Sequence, residues 1–291
     1  MAFRTVFIEN PCRLHYQGGF LVVRKEDETR KIHLSEISSV ILQTEQVYVS
    51  AYLLAELAKR KISFVVSDEK ANPVGQCLPI YGAHNVSKRI QEQLVWGEPI
   101  KKRVWQHVVK DKIRHQADLL ADREYPESKV LISFLPEVRS GDVTNREAQA
   151  ARIYFAVLFG KDFSRDKDCP LNAALNYGYA ILLSMVNREI VSRGYLTQCG
   201  ICHRNEYNQF NLACDLMEPF RPIVDRVVID NFGYEFDSDV KRALADLANC
   251  QINYQDGMYR VSSVVSLYIQ DCLNALCKKI AVDDIKGFGV L

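Results

Sequence analysis

The sequence has no surplus of either charge: 37 lysines and arginines stand against 36 aspartates and glutamates, a formal balance of +1. A surface that is polybasic throughout is thereby excluded, so affinity for nucleic acid has to come from local charge. A long apolar run is also missing. The longest candidate, Tyr177 to Val186, ends in Asn187, Arg188 and Glu189, short of the roughly 18 residues a membrane span needs. The apolar stretch before Glu9 is too brief for a signal peptide, which predicts a soluble, cytoplasmic protein without membrane contact. Nine cysteines are scattered from Cys12 to Cys277, an odd number without a framework, as expected of reduced thiols. Neither a repeat period nor a low-complexity segment is visible. What is there is an ordinary globular composition, 48% hydrophobic and 25% charged over 291 residues. That length favours two domains at about 150 residues each.

The first eighty residues read as short strands rich in Val, Ile and Phe: Arg4 to Glu9, Arg13 to Gln17, Phe20 to Lys25, Lys31 to Leu34, Ser39 to Leu42 and Ile62 to Ser67. They are expected to pair antiparallel. Gly18-Gly19 marks a hairpin turn, because both positions tolerate positive φ. Ser50 is placed to cap a helix running to Arg60, and Asn72-Pro73 opens a further extended run. Beyond Ala83 the apolar spacing changes to three and four, and the remainder reads as helical. Helices are predicted over Val86 to Val95, Ile100 to Leu120, Asn145 to Phe159, Asn172 to Arg193, Asn211 to about Val228, Asp237 to Leu247 and Val261 to Ile280. The fold class is α+β, with a β-rich domain over residues 1–83 and an all-α domain over 84–291. The glycine-containing tail Gly287-Phe288-Gly289-Val290-Leu291 is expected to fray unless DNA orders it.

Local charge is uneven. Residues 84–123 hold nine basic and five acidic side chains, whereas residues 215–239 hold seven acids against Arg221 and Arg226. A basic helix pair suits phosphate, although a solvated amphipathic face is the simpler account of these residues taken alone. Acid-rich helices beside basic ones are what a metal-dependent phosphodiester enzyme requires, since the metal offsets the carboxylates.

Cys199-Gly200-Ile201-Cys202-His203 has the C-x-x-C-H spacing of covalent haem attachment, but that chemistry belongs to exported proteins. A zinc reading would use Cys199, Cys202, His203 and Cys214, yet no second C-x-x-C supplies the other knuckle. Thr144 and Glu147 have capping-box spacing, so Glu147 has a plain structural role open to it. Ala150, Ala151 and Tyr154 nevertheless give its helix face a small, apolar character that places the carboxylate at the edge of a pocket. Asp215 and Glu218 are three residues apart and share one helix face, able to converge on a cation. Pro219 and Pro222 limit the helix that carries them.

Taken together, Gly200 to His203, the run Asn211-Leu212-Ala213-Cys214-Asp215-Leu216-Met217-Glu218-Pro219-Phe220-Arg221-Pro222 and the glutamate helix at 147 resemble the CRISPR-associated integrase family, in its type II branch. This is the catalytic subunit of the spacer-acquisition complex. The resemblance covers essentially the whole chain. It implies a prokaryotic, metal-dependent DNA integrase that inserts short foreign DNA into a CRISPR array by 3′-hydroxyl transesterification. It further implies Glu147, His203 and Glu218 as catalytic metal ligands for Mg²⁺ or Mn²⁺, with Asp215 behind them. The implied partners are a second copy joined through the β domain, a small ferredoxin-like subunit, and double-stranded DNA as incoming fragment and repeat. Lys88, Arg89, Lys101, Lys102, Arg103, Lys110, Lys112, Arg114, Arg146 and Arg152 are the candidate DNA-backbone contacts. Two other readings use the same residues: a metal-dependent nuclease acting on branched DNA, and a non-enzymatic helical module that binds nucleic acid.

Overall fold

The computed structural model describes residues 4–26, 28–68, 73–77, 79 and 83–290. The expectations for Asn72 and Leu291 lie outside the described residues. The N-terminal region contains β1 (Arg4–Ile8), β2 (Cys12–Gln17), β3 (Phe20–Lys25), β4 (Glu28–His33), β5 (Ile37–Leu42), β6 (Val47–Val49), α1 (Ala51–Lys59), β7 (Ser63–Ser67) and β8 (Pro73–Cys77). The β2–β3 hairpin turns at Gly18 and Gly19, both at positive φ. Ser50 accepts from the Leu53 amide and caps α1.

The strands form two four-stranded sheets, ordered β4-β3-β2-β6 and β1-β5-β7-β8. An all-antiparallel arrangement is not what forms: β1 with β5, β5 with β7 and β2 with β6 are parallel. The connections explain this, because α1 lies between β5 and β7 and supplies the long crossover a parallel pair needs. Leu14, Leu21, Ile37, Val40, Leu53 and Leu57 pack as one apolar cluster of this region. Ile41 and Val65, on the second sheet, belong instead to the core of the helical region. Polar ties cross at the same place: Gln76 Nε2 donates to the Ser184 carbonyl at 3.1 Å, and Arg188 Nε to the Lys61 carbonyl at 2.7 Å.

The helical region contains α2 (Val86–Leu94), α3 (Glu98–Asp122), α4 (Ser128–Phe134), α5 (Arg146–Phe159), α6 (Pro170–Ser192), α7 (Asn211–Met217), α8 (Arg221–Asn231), α9 (Ser238–Ala245), the strands β9 (Gln251–Tyr254) and β10 (Gly257–Arg260), and α10 (Val261–Leu276). The long α3 and α6 run through its core. Where α6 crosses α8, a Cβ on Gly178 would meet Val224 Cγ1 at 2.4 Å, so this contact requires glycine.

Three readings of this half need correction. The β9–β10 hairpin interrupts the all-helical pattern, around a two-residue turn in which Gln255 takes positive φ. The predicted helix from Asn211 to Val228 is divided at Glu218–Phe220, where Pro219 tightens the chain into a 3-10 turn. The tail is packed rather than frayed. Phe288 and Val290 are buried, Phe288 stacks on Phe220 with ring centroids 4.3 Å apart, and Arg226 Nη1 donates to the Val290 carbonyl.

Candidate active site

The carboxylates singled out from sequence arrive from different directions. Glu147 is on the first turn of α5, whose start is set by Asp142. That carboxylate accepts from the amides of both Arg146 and Glu147 at 3.0 Å. The capping box expected of Thr144 and Glu147 does not form. Thr144 Oγ1 instead donates to the Glu137 carbonyl, and Asn145, in left-handed conformation, makes no side-chain cap. Glu147 is therefore free of helix-start duty. Its Oε1 accepts from Lys112 Nζ at 2.6 Å.

Glu218 opens the 3-10 turn after α7 and is 3% exposed. Its Oε2 also accepts from Lys112 Nζ, and its Oε1 lies 3.0 Å from Arg221 Nε. Burial pushes this carboxyl up, but the positive charges of Arg221 and Lys112 outweigh it and hold Glu218 below the usual carboxylate range. Burial opposes the Lys112 ammonium in the same way. Glu218 and Glu147 more than compensate, and the group stays charged.

Lys112 thus departs from its expected role. It is 8% exposed in the middle of α3 and bound to two carboxylates, so it has no surface from which to touch a DNA backbone. Val108, Val109 and Ile113 beside it are buried, and that apolar face was the signal in the sequence. Arg221 was missed, though a cation three residues after Glu218 is an ordinary helical pairing distance. Of the other basic candidates, Lys88, Lys102, Arg103, Arg114 and Arg152 are exposed, while Arg89, Lys101, Lys110 and Arg146 are half-buried. Arg146 pairs with Glu137, Lys101 with Glu98, and Arg89 with Glu92.

His203 lies in the loop before α7 and is built around Asp215. The fully buried Asp215 carboxylate accepts from the amides of Ile201 at 2.6 Å, Cys202 at 3.0 Å and His203 at 3.0 Å, and contacts His203 Nδ1 at 2.5 Å. A Cβ on Gly200 would stand 2.8 Å from Asp215 Oδ2 and 2.3 Å from the His203 carbonyl, so the wrap closes only over glycine. None of the nine cysteines is in a disulfide, and Cys214 Sγ is contacted by Asn208. The hydrogen bond to Asp215 raises the His203 pKa above its ordinary value, while burial works against it. The charges of Glu218 and Glu147 push in the same direction as Asp215.

Among the described residues, no three His, Cys, Asp or Glu side chains are gathered closely enough to hold a metal between them. Glu147 and Glu218 are brought to one point, which the Lys112 ammonium fills, and their charge is felt at the His203 ring. The donor chemistry suits a divalent ion. Two carboxylates from separate elements already converge on one cation, and an imidazole whose Nδ1 faces a carboxylate has the orientation usual for a metal-binding histidine.

These features define a half-buried Glu147 and a buried Glu218 held on one cation within an α+β scaffold. The family described as CRISPR associated protein Cas1 matches residues 6–239, and the chain belongs to that family. It is 40% identical over 231 residues to the CRISPR-associated endonuclease Cas1 of Neisseria meningitidis serogroup C (strain 8013), covering 79% of this chain and 76% of that protein. This relative fits the type II-like branch. The fold is similar to that of a casposase bound to integration product (TM-score 0.76, 19% identity, 96% of this chain and 92% of that one). It also resembles a chain of a partial Cas6-RT-Cas1–Cas2 complex (TM-score 0.66, 21% identity, the whole of both chains).

Proposed function

We propose that this protein is a metal-dependent DNA integrase, the catalytic subunit that inserts short foreign DNA fragments into a CRISPR array in the prokaryotic cytoplasm. The observation that carries this reading is the convergence of Glu147 and Glu218 on a single cation. Family membership and a relative named as an endonuclease support it, as does a likeness in fold to a protein captured with its integration product.

In the reaction, the oxygen of a 3′ hydroxyl forms a bond to a backbone phosphorus while the bond from that phosphorus to another 3′ oxygen breaks. One proton leaves the attacking hydroxyl and one is taken up by the departing oxygen. The number of phosphodiester bonds is conserved, so no ATP is consumed. Glu147, Glu218 and His203 would hold Mg²⁺ or Mn²⁺, and such an ion supplies charge neutralisation and alignment of the reacting oxygens. Asp215 fixes the loop and the ring orientation of His203, and Arg221 keeps Glu218 anionic. The exposed Lys88, Lys102, Arg103, Arg114 and Arg152 are the side chains best placed for phosphate contact.

The partners in this reading are double-stranded DNA, a small ferredoxin-like subunit and a second copy of the chain. The copy would dock on the β-rich residues 1–83, leaving 84–291 for catalysis. Exposed Tyr48 on edge strand β6 and Tyr52 on α1 support that face. Light scattering tests it, with a monomer at micromolar concentration as the contrary result.

A second reading is a nuclease that uses water as nucleophile on branched DNA; the Neisseria meningitidis relative is named an endonuclease. One experiment separates the readings. The chain and the small subunit are incubated with a duplex fragment, a repeat-bearing plasmid and Mg²⁺ or Mn²⁺, and covalent joining of fragment to plasmid is measured. Joining that requires a free 3′ hydroxyl and is lost in Glu147→Gln supports integration. Cleavage without joining supports the nuclease. Binding without either, independent of divalent ions, would leave only a nucleic-acid-binding module.

A further inference from the structure

We propose that Lys112 is the resident counter-cation of the candidate metal site, an ammonium that a divalent ion must displace from between Glu147 and Glu218 before the site can be loaded. This rests on the assignment of those two glutamates as metal ligands. The Lys112 ammonium has no role as a surface charge: it is buried on α3 and touches one oxygen of each carboxylate, 2.6 Å from Glu147.

Two carboxylates held against one another, one of them buried, repel unless a cation lies between them. Lys112 provides that charge, while Arg221 takes the remaining oxygen of Glu218. Counted together, Glu147, Glu218, Lys112 and Arg221 form a neutral set. A metal ion bound by both glutamates requires the same position, and two cations cannot share it at contact distance. Loading is therefore an exchange rather than an addition. A monovalent ion gains nothing by it, since it replaces one unit charge with another. A divalent ion gains the second charge, and the flexible lysine stem lets the ammonium withdraw without moving the helix. Lys112 thus favours doubly charged ions and keeps the empty site folded.

The test is Mn²⁺ titration of the full, metal-stripped chain at neutral pH, read from the electron paramagnetic resonance signal of free Mn²⁺, with no dependence on catalysis. Lys112→Met is expected to tighten the Mn²⁺ dissociation constant at least about tenfold, whereas Glu147→Gln is expected to weaken it at least about tenfold. Lys112→Gln, which keeps a donor but drops the charge, should also tighten binding if Lys112→Met does not fold. Lys112→Arg, which keeps the charge, should not. Weaker or unchanged Mn²⁺ binding in the neutral Lys112 variants, with Glu147→Gln still weakened, would overturn the counter-cation role and leave the metal assignment standing. Unchanged binding in Glu147→Gln would instead remove the metal assignment itself, and with it the ground of this proposal.

Discussion

Glu218 and Asp225 stand seven residues apart on one stretch of chain, and both carboxyls are out of solvent, at 3% and 1% exposure. Glu218 faces Lys112 and Arg221 and is held below its ordinary pKa. Asp225 faces the hydroxyls of Tyr154 and Tyr179, two neutral donors. Burial dominates there, and the Asp225 carboxyl is pushed up to about 6 despite both phenols and the more distant charge of Arg221. Burial is common to the two acids, so it cannot decide their protonation. The charge of the partner does. An acid that must stay anionic is given cations, and an acid that ties α5, α6 and α8 together is given phenols.

The largest expected effect breaks the comparison on activity. Glu218→Gln should lower strand transfer at least about a hundredfold in Mn²⁺, while Asp225→Asn should keep most of it, measured by joining of a labelled fragment to plasmid. Equal losses would erase the distinction between the two acids.

Next is the packing beneath the Glu218 turn. His115 is fully buried between the carbonyls of Pro219 and Phe288, 2.7 Å from each. Phe288→Ala removes the ring stacked on Phe220 and should cost about 3 to 5 kcal/mol, seen as a lowered denaturation midpoint.

The protonation contrast itself is testable by pH. The folded-state pKa of Asp225 lies above its unfolded value, so its contribution to stability is full below about 4 and is lost as pH rises through about 6. Relative to wild type, Asp225→Asn should gain roughly 3 kcal/mol over that interval and then level off, measured by urea unfolding at successive pH values. Glu218 has the opposite sign: its lowered pKa gives stability that is present above about 4.3 and lost as pH falls.

A smaller effect comes from Tyr154→Phe. It deletes one donor to the buried Asp225 carboxylate and should destabilise by roughly 1.5 to 3 kcal/mol at neutral pH, checked by thermal melting. The smallest stability effect, within about 0.5 kcal/mol, is expected for reversing the exposed Lys102 and Arg103 to glutamate. The same variant should weaken duplex binding regardless of sequence and flatten its salt dependence by about one unit of slope per lost phosphate contact.

Much of this was legible in the sequence because it depends on local pattern. The Gly18-Gly19 turn, the Ser50 cap and the switch from strand to helix periodicity are short-range signals, and each forms as read. The pairing of Glu147 with Glu218 followed from a resemblance carried by their motifs. What the sequence did not give up depends on long-range partners. Lys112 lies 35 residues from Glu147 and 106 from Glu218, and no spacing rule joins a cation to two acids at such separations. The capping box failed for a related reason. Asp142, from the preceding turn, reached the α5 amides first. The tail looked frayed because two glycines flank Phe288, yet that ring is captured by Phe220 and Tyr268 from distant segments.

The Asp215 wrap has one further consequence. Three successive amides and an imidazole gather round a single carboxylate from the chain itself, in the way a peptide receptor encloses a dissolved anion. The loop therefore carries its own template. Its shape is specified by a guest seated on the next helix, so it is assembled only when α7 is formed, and the histidine is delivered in a fixed orientation at that moment. Recognition within the chain precedes recognition of any substrate, and a neutral guest in place of Asp215 would leave the receptor without the charge around which it is wound.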